Sequence, residues 1–307
     1  MNVESKPASS VMRHVYFAAL VVLSAVVFRR ALGVVVGSSL SDENYGHILL
    51  VWPVSAVLLY SVGRKMLAKA KYSPMAGVAL LLPIGSFAYL SAHSGAMSES
   101  AYLSASIMLF VISCLVAFVL CYGTAAFRVA AFPLLFLLLT VPVPEAVLQP
   151  AISMLQDRSG DVTCVLYRVA HVPYVRHGIV VSLPKLDIQI AEECSGIRST
   201  MVLLLSSLVL GHLYLESLWS KVLLTLAVIP VTIAKNGLRI FVLSTLGTYW
   251  DPSFLTGRLH HQGGFIFFAL AFAALLLLIW MLQKCGANRK APKTATPAAH
   301  PVLKEIL

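Results

Sequence analysis

The run FIFFALAFAALLLLIWML, residues 265–282, carries no charged side chain, and it constrains the fold more than any other feature of the chain. In hydrocarbon every backbone N–H and C=O must be satisfied within the segment, so such a run has to be a helix. At 1.5 Å per residue it nearly crosses the roughly 30 Å apolar layer of a bilayer. VALLLPIGSFAYLSA (78–92) is a second charge-free run. The chain is 59% hydrophobic and 12% charged, with a mean hydropathy of +0.85, far above the apolar share of a soluble domain. The expected fold class is therefore all-α, a polytopic membrane helical bundle.

Windows of about 20 apolar residues place about eight transmembrane helices, near 15–36, 46–62, 74–92, 101–122, 125–141, 197–215, 219–248 and 263–282. No polar stretch of domain length interrupts them. Residues 1–285 are expected to form one integral membrane domain, and the Pro/Ala/Lys-rich residues 286–307 a disordered tail. Lys6 and Arg13 precede the first run with no small-residue cleavage site behind it, the pattern of a retained anchor. Arg29 and Arg30 fall in the second half of that run. Either they snorkel to the headgroups or the helix ends at Phe28.

The excess of 23 Lys+Arg over 13 Asp+Glu would suggest nucleic acid in a soluble chain. Here the cations cluster between apolar runs, so the lipid bilayer explains them and no nucleic-acid partner is expected. Arg64, Lys65, Lys69 and Lys71 follow the second helix, Arg128 the fourth, Lys221 the sixth, and Lys284, Arg289, Lys290 and Lys293 the eighth. The positive-inside rule makes that side cytoplasmic, with both termini on it. Asp42, Glu43, Glu99, Asp251 and the long segment 142–195 then face outward.

From Pro144 to Val172, Leu148, Ile152, Leu155, Val162, Leu166 and Val169 recur at helical spacing. Gln149, Gln156, Asp157, Arg158, Asp161 and Arg168 take the other face. That pattern fits an amphipathic helix, either lying on the membrane surface or facing a core. In GIVVSLPKLDIQIAEEC (178–194), Leu186, Ile188 and Ile190 alternate with Asp187 and Gln189, and LPK marks a turn. A small β-hairpin is expected to deliver the chain to Cys194.

Cys194 lies in IAEECSGIRS (190–199), at the outward N-terminus of the sixth helix. Free amide N–H groups and the positive helix end stabilise a thiolate there. Ser195 and Gly196 offer a tight turn and N–H donors for an oxyanion, and Arg198 adds positive charge. Glu192 and Glu193 oppose that charge, or orient a base or Arg198. The competing reading is a helix cap with an incidental cysteine. Cys114 and Cys121 in the fourth helix and cytoplasmic Cys285 read as packing residues. Cys164 shares the side of Cys194, and a disulfide between them would exclude a free nucleophile.

IPVTIAKNGLRIFVLS (229–244) places Lys235, Asn236 and Arg239 inside the seventh run. An arginine within the membrane is expensive and by default functional. Counted from Trp219, Arg239 lies about 30 Å along the helix, near the outer boundary. Asn236, three residues earlier, shares its face. The alternative is a snorkelling arginine beside a kink at Gly237. GRLHHQGGFIFF (257–268) puts His260 and His261 before the eighth helix, on the same side. Histidine exchanges protons near neutral pH; an interfacial polar cap is the alternative. No metal or cofactor is expected, because neither HExxH nor paired CxxC spacing occurs.

Three separate helices thus bring a thiol, a fixed cation and a proton carrier to one depth. Those are the parts needed for thioester chemistry on a peptide bond. A transporter or polysaccharide-export subunit is the competing class. It would call for more charged residues facing a cavity and an internal repeat, and no self-similarity at a fixed period is evident.

AEECSGIRS, NGLRI and HHQGGF resemble, in order and spacing, the signature segments of the exosortase/archaeosortase family of membrane cysteine transpeptidases. ENYGHILLVWPV (43–54) is similar to that family's early Tyr-Ser-His-Gly stretch, with Tyr45-Gly46-His47-Ile48 departing from it. The resemblance implies that Cys194 is the nucleophile, Arg239 the arginine and His260 the histidine, with Gly264 four residues on. His261 is a rival for His260, and Phe265 stands where the family often has Trp. It also implies exported, membrane-anchored protein substrates bearing a C-terminal signal: a motif such as Pro-Glu-Pro, a membrane helix and a basic cluster. The acceptor is unknown, and resolution of a thioester by an amine gives sorting whereas water gives proteolysis.

Overall fold

The computed structural model describes residues 7–41, 45–184, 186–190, 197–251 and 264–290. They form two compact units, drawn from Met1–Asp161, Val175–Ser182 and Asp187–Val202, and from Val162–Tyr174, Leu183–Leu186 and Leu203–Leu307. The protein is an all-α polytopic membrane protein with one small sheet. Among the described residues six helices are long and apolar enough to cross a membrane, or up to eight if two sharply bent pairs each count as one span.

The first unit opens with α1 (Pro7–Val27) and α2 (Arg29–Ser41), bent by 82° at Phe28. The expected single helix 15–36 is therefore two, ending where two adjacent guanidinium groups would otherwise enter hydrocarbon. Arg29 and Arg30 are exposed. Phe28 is fully buried at the pivot, its ring 4.3 Å from Phe87 and 5.9 Å from Phe110 between centroids. α3 (Ile48–Ala68) packs with the helices Glu99–Val129 and Ala131–Phe136, and its Ser55 hydroxyl donates to the Pro133 carbonyl at 2.7 Å. α4 (Met75–Ala79) and α5 (Leu81–Ala92) together make the third span.

α6 (Glu99–Val129) begins at an N-cap, Ser98, whose hydroxyl accepts from the Ala101 amide. It runs through a kink at Gly123 (φ 83°, ψ 168°), a conformation essentially restricted to glycine. The kink withdraws the Leu120 and Tyr122 carbonyls from the helical ladder, and the amides of Ser73 and Lys71 donate to them at 3.1 and 2.9 Å. A Cβ at position 123 would lie 2.4 Å from the Lys71 carbonyl oxygen. This corrects the expected pair 101–122 and 125–141: α6 extends through Val129, leaving only α7 (Ala131–Phe136) and a 3-10 turn (Leu137–Thr140) beyond it. That short segment is bent by 89° against α8 (Glu145–Val169).

α8 closes with a Schellman arrangement. The Val172 amide donates to the Tyr167 carbonyl and that of His171 to Arg168, with His171 at φ 55° in the place glycine usually takes. Next come β1 (Val175–His177), β2 (Val180–Leu183) and β3 (Leu186–Gln189), ordered β1-β2-β3. β1 and β2 are antiparallel, with His177 opposite Val180 across Gly178 (φ 60°), where a two-residue hairpin loop favours glycine. The expected hairpin gains a third strand, because Val175-Arg176-His177 is too short to show alternation.

α9 (Ile197–Tyr214) enters the second unit at Leu203, and there it shares with α10 (Leu218–Tyr249) and α11 (Gly264–Lys290) a core of Leu203, Leu224, Val228, Ala271, Leu275 and Ile279. α10 carries Pro230, which removes one helical N–H and weakens the coupling between its two halves. α11 continues through Lys290, five residues into the stretch expected as tail.

Candidate active site

Of the nine residues singled out from the sequence, Cys194, Glu193, Ser195, Gly196, His260 and His261 lie outside the described residues. Arg239, Asn236 and Arg198 lie within them. Arg198 is exposed on α9. Asn236 and Arg239 sit in the second half of α10, where Asn236 is fully buried and Arg239 half-buried.

These two belong to a longer stripe. Thr232, Lys235, Asn236, Arg239 and Leu243 follow one another at helical i, i+3, i+4 spacing, and Thr232 and Asn236 are 0% exposed and Lys235 7%. A helix of membrane-spanning length thus buries an ammonium and an amide one turn before a half-buried guanidinium, which is costly unless they are used. The sequence alone gives Lys235 no role, although its burial one turn before Arg239 puts it on the same face.

Gly237, Phe241, Ser244 and Thr248 line the opposite side of α10, and the second half of α8 packs there. The Thr163 hydroxyl donates to the Gly237 carbonyl at 3.1 Å. The Ser244 hydroxyl donates to its own helix at the Phe241 carbonyl, so in the 2.5 Å pair with Tyr167 the phenol is the donor. The Tyr167 ring, fully buried, also lies 5.4 Å from those of Phe241 and Tyr174. Cys164, between these contacts in sequence, is a buried free thiol.

The sequence pattern hides this contact for a definite reason. It places Val162, Leu166 and Val169 on the buried face of α8, yet Val162 and Leu166 are half-buried and Val169 is 72% exposed. Ser159, Gly160, Thr163, Cys164 and Tyr167 are buried instead. Helices in lipid pack through small and hydroxyl residues, and apolar ones can face outward. The first half of α8 follows the expected pattern, with Leu148, Ile152 and Leu155 buried. Both halves of α8 thus pack against protein, as the core-facing placement expects.

That first half also grips the chain ahead of the cysteine motif. The Gln156 side-chain amide donates to the Ile190 carbonyl at 3.1 Å, and Ile190 is 1% exposed. Arg176 meets Asp161 at 2.7 Å and Asp157 at 3.6 Å. Gly160 permits the approach: a Cβ there would lie 2.9 Å from both the Arg176 guanidinium and the Ile190 side chain.

Elsewhere in the first unit, Ser38, Tyr45, Ser100, Pro142, Glu99 and Glu145 help line a cavity of about 190 Å³. The two carboxylates head α6 and α8, where the helix dipole favours negative charge.

A family model described as transmembrane exosortase matches residues 38–277, a span from the end of α2 well into α11. No curated protein and no solved structure matches the chain.

Proposed function

The chain belongs to the transmembrane exosortase family, a family of membrane transpeptidases, and on that premise we propose that it cleaves the C-terminal sorting signal of exported proteins through a Cys194 thioester. The observation that carries the assignment is the buried polar stripe of α10, with Arg239 at its end. A guanidinium in a low-dielectric setting stabilises developing negative charge far more than it would in water.

Atoms and protons balance across two half-reactions. The Cys194 thiolate attacks the scissile carbonyl, forming a C–S bond and an oxyanion that Arg239 and backbone N–H groups near Gly196 stabilise. Collapse breaks the C–N bond, and His260, as imidazolium, gives its proton to the leaving amine. The neutral imidazole then takes a proton from the incoming nucleophile, which displaces the Cys194 thiolate. An amine acceptor yields a transferred product and water a released one. Asn236 and Arg198 support the charge, Ser195 and Gly196 shape the turn, Glu193 orients Arg198 or the base, and His261 is the alternative proton carrier.

The substrate's own membrane helix docks laterally from the lipid bilayer, leaving its signal motif at the outer face of the bacterial inner membrane. Both termini of the enzyme are then cytoplasmic. The packing of Ile190 against α8 supports only the role given to Cys194, since it restrains the chain four residues before that position. The test is a co-expressed substrate followed by size. Cys194→Ala is expected to leave it full-length, and normal processing in Cys194→Ala cells would overturn the proposal. His260→Ala and His261→Ala, side by side, identify the proton carrier.

A further inference from the structure

α10 is fixed at two separate places. Its first half packs through Leu224 and Val228 into the apolar core with α9 and α11. Pro230 then interrupts the hydrogen-bond ladder, so that core does not by itself dictate the rotation of the second half. The second half meets α8 at three levels. Thr163 bonds Gly237, the Tyr167 ring packs on Phe241, and the Tyr167 phenol bonds Ser244. Positions 237, 241 and 244 lie within about 60° of one another around the helix, and position 239 is about 160° from Gly237. Contacts on that side fix the azimuth of the opposite side, where Lys235, Asn236 and Arg239 lie.

We infer that Thr163 and Tyr167 are positioning residues for Arg239: their contacts on the back of α10 set the rotation at which its polar stripe is presented. The inference rests on the reading of Arg239 as the oxyanion-stabilising cation. Neither hydroxyl takes part in proton transfer or touches substrate. Their effect falls on transition-state stabilisation, where a displacement of about 1 Å can cost as much as a hundredfold in rate.

The experiment uses the full-length enzyme in detergent or vesicles with a co-purified substrate. Thr163→Val keeps the shape and removes the donor, Thr163→Ser keeps the donor, and Tyr167→Phe removes only the phenolic hydroxyl. Per unit of folded protein, Thr163→Val and Tyr167→Phe are expected to lower kcat about tenfold with KM unchanged, and Thr163→Ser to retain it. Tyr167→Phe combined with Ser244→Ala should be no slower than either alone, because both remove one bond. Unchanged kcat in Thr163→Val and Tyr167→Phe, with loss only of folded protein, would overturn the inference and leave these residues a purely structural role.

A second arm does not depend on catalysis. Arg239→Cys, placed in a chain whose natural cysteines are replaced, reports the exposure of that position through its rate of modification by a small thiol reagent. Adding Tyr167→Phe is expected to change that rate several-fold, and an identical rate would overturn the inference. Absence of processing by the unmodified enzyme would count against the proposed function alone, and the labelling rate would still decide whether α8 orients α10.

Discussion

α6 and α10 are nearly equal in length, at 31 and 32 residues, and both are interrupted along their course, yet their polar groups differ in what a neighbouring helix adds to them. The buried serines of α6 satisfy themselves: Ser104, Ser106 and Ser113 each donate to a carbonyl four residues back. Its break at Gly123 frees carbonyls that the 71–73 loop takes up at once. In α10 the Ser244 and Thr248 hydroxyls also donate to their own helix, but α8 adds bonds from outside. Ser244 and the Gly237 carbonyl receive hydroxyls from α8, and Lys235, Asn236 and Arg239 line the other side. Self-satisfied hydroxyls mark a helix that only has to be stable in lipid. Hydroxyls engaged by a neighbour, with buried charge behind them, mark one that has to be held at a particular rotation.

The comparison breaks most decisively at Arg239. Arg239→Leu is expected to lower processing about 10²–10³-fold while the amount of membrane-inserted protein stays the same, since it removes a charge from an apolar segment. Arg239→Lys should recover little of the loss, because a point ammonium replaces a planar fork. Quantifying processed substrate per unit of enzyme checks both. A comparable fall in protein level would instead make Arg239 a structural residue, and α10 would then resemble α6.

Gly123→Ala should act in the opposite sense. The substitution meets a backbone conformation that costs about 1–3 kcal/mol for other residues, and its Cβ would be forced to 2.4 Å from the Lys71 carbonyl oxygen. Thermal unfolding in detergent should show a loss of about 3 kcal/mol or more, with unchanged specific activity in the fraction that stays folded. His171→Gly should show a smaller, favourable effect. Relieving the left-handed strain at the end of α8 should gain about 1 kcal/mol without altering turnover. The smallest effect is expected for Ser113→Ala, within about 0.5 kcal/mol by the same unfolding assay, because its hydroxyl serves only its own helix. A large loss there would show that α6 relies on its serines as α10 does.

Legibility in the sequence differs along the same division. The bounds of α9 and α10 lie within two residues of those expected, and the helix expected over 144–172 is α8, because their ends carry polar and turn-forming residues that stop an apolar run. Arg239 and Asn236 are legible as charge and amide where hydrocarbon should be. The stretch 125–141 misleads because apolarity alone does not distinguish a span from a short buried helix, and the left-handed conformation of Gly123 leaves no trace in hydropathy. The second half of α8 misleads through a rule taken from water. Val169 reads as core and faces outward, whereas Thr163 and Tyr167, which the apolar spacing passes over, are fully buried against α10. A pair of hydroxyl-bearing residues at i, i+4 is the available signal, and it becomes meaningful only once the packing medium is lipid. The third strand stays hidden because three residues are too few to show a period.

The central claim is that Cys194 forms a covalent bond to its substrate, and the adduct itself is the most direct measurement. The enzyme should be purified with a co-expressed substrate after the second half-reaction has been slowed, by His260→Ala or by depletion of the acceptor. Mass spectrometry is then expected to find the peptide containing Cys194 heavier by the N-terminal product fragment, with the added mass removed by hydroxylamine as a thioester requires. A Cys194 found only in a disulfide with Cys164, or unmodified while processing proceeds, would contradict the account.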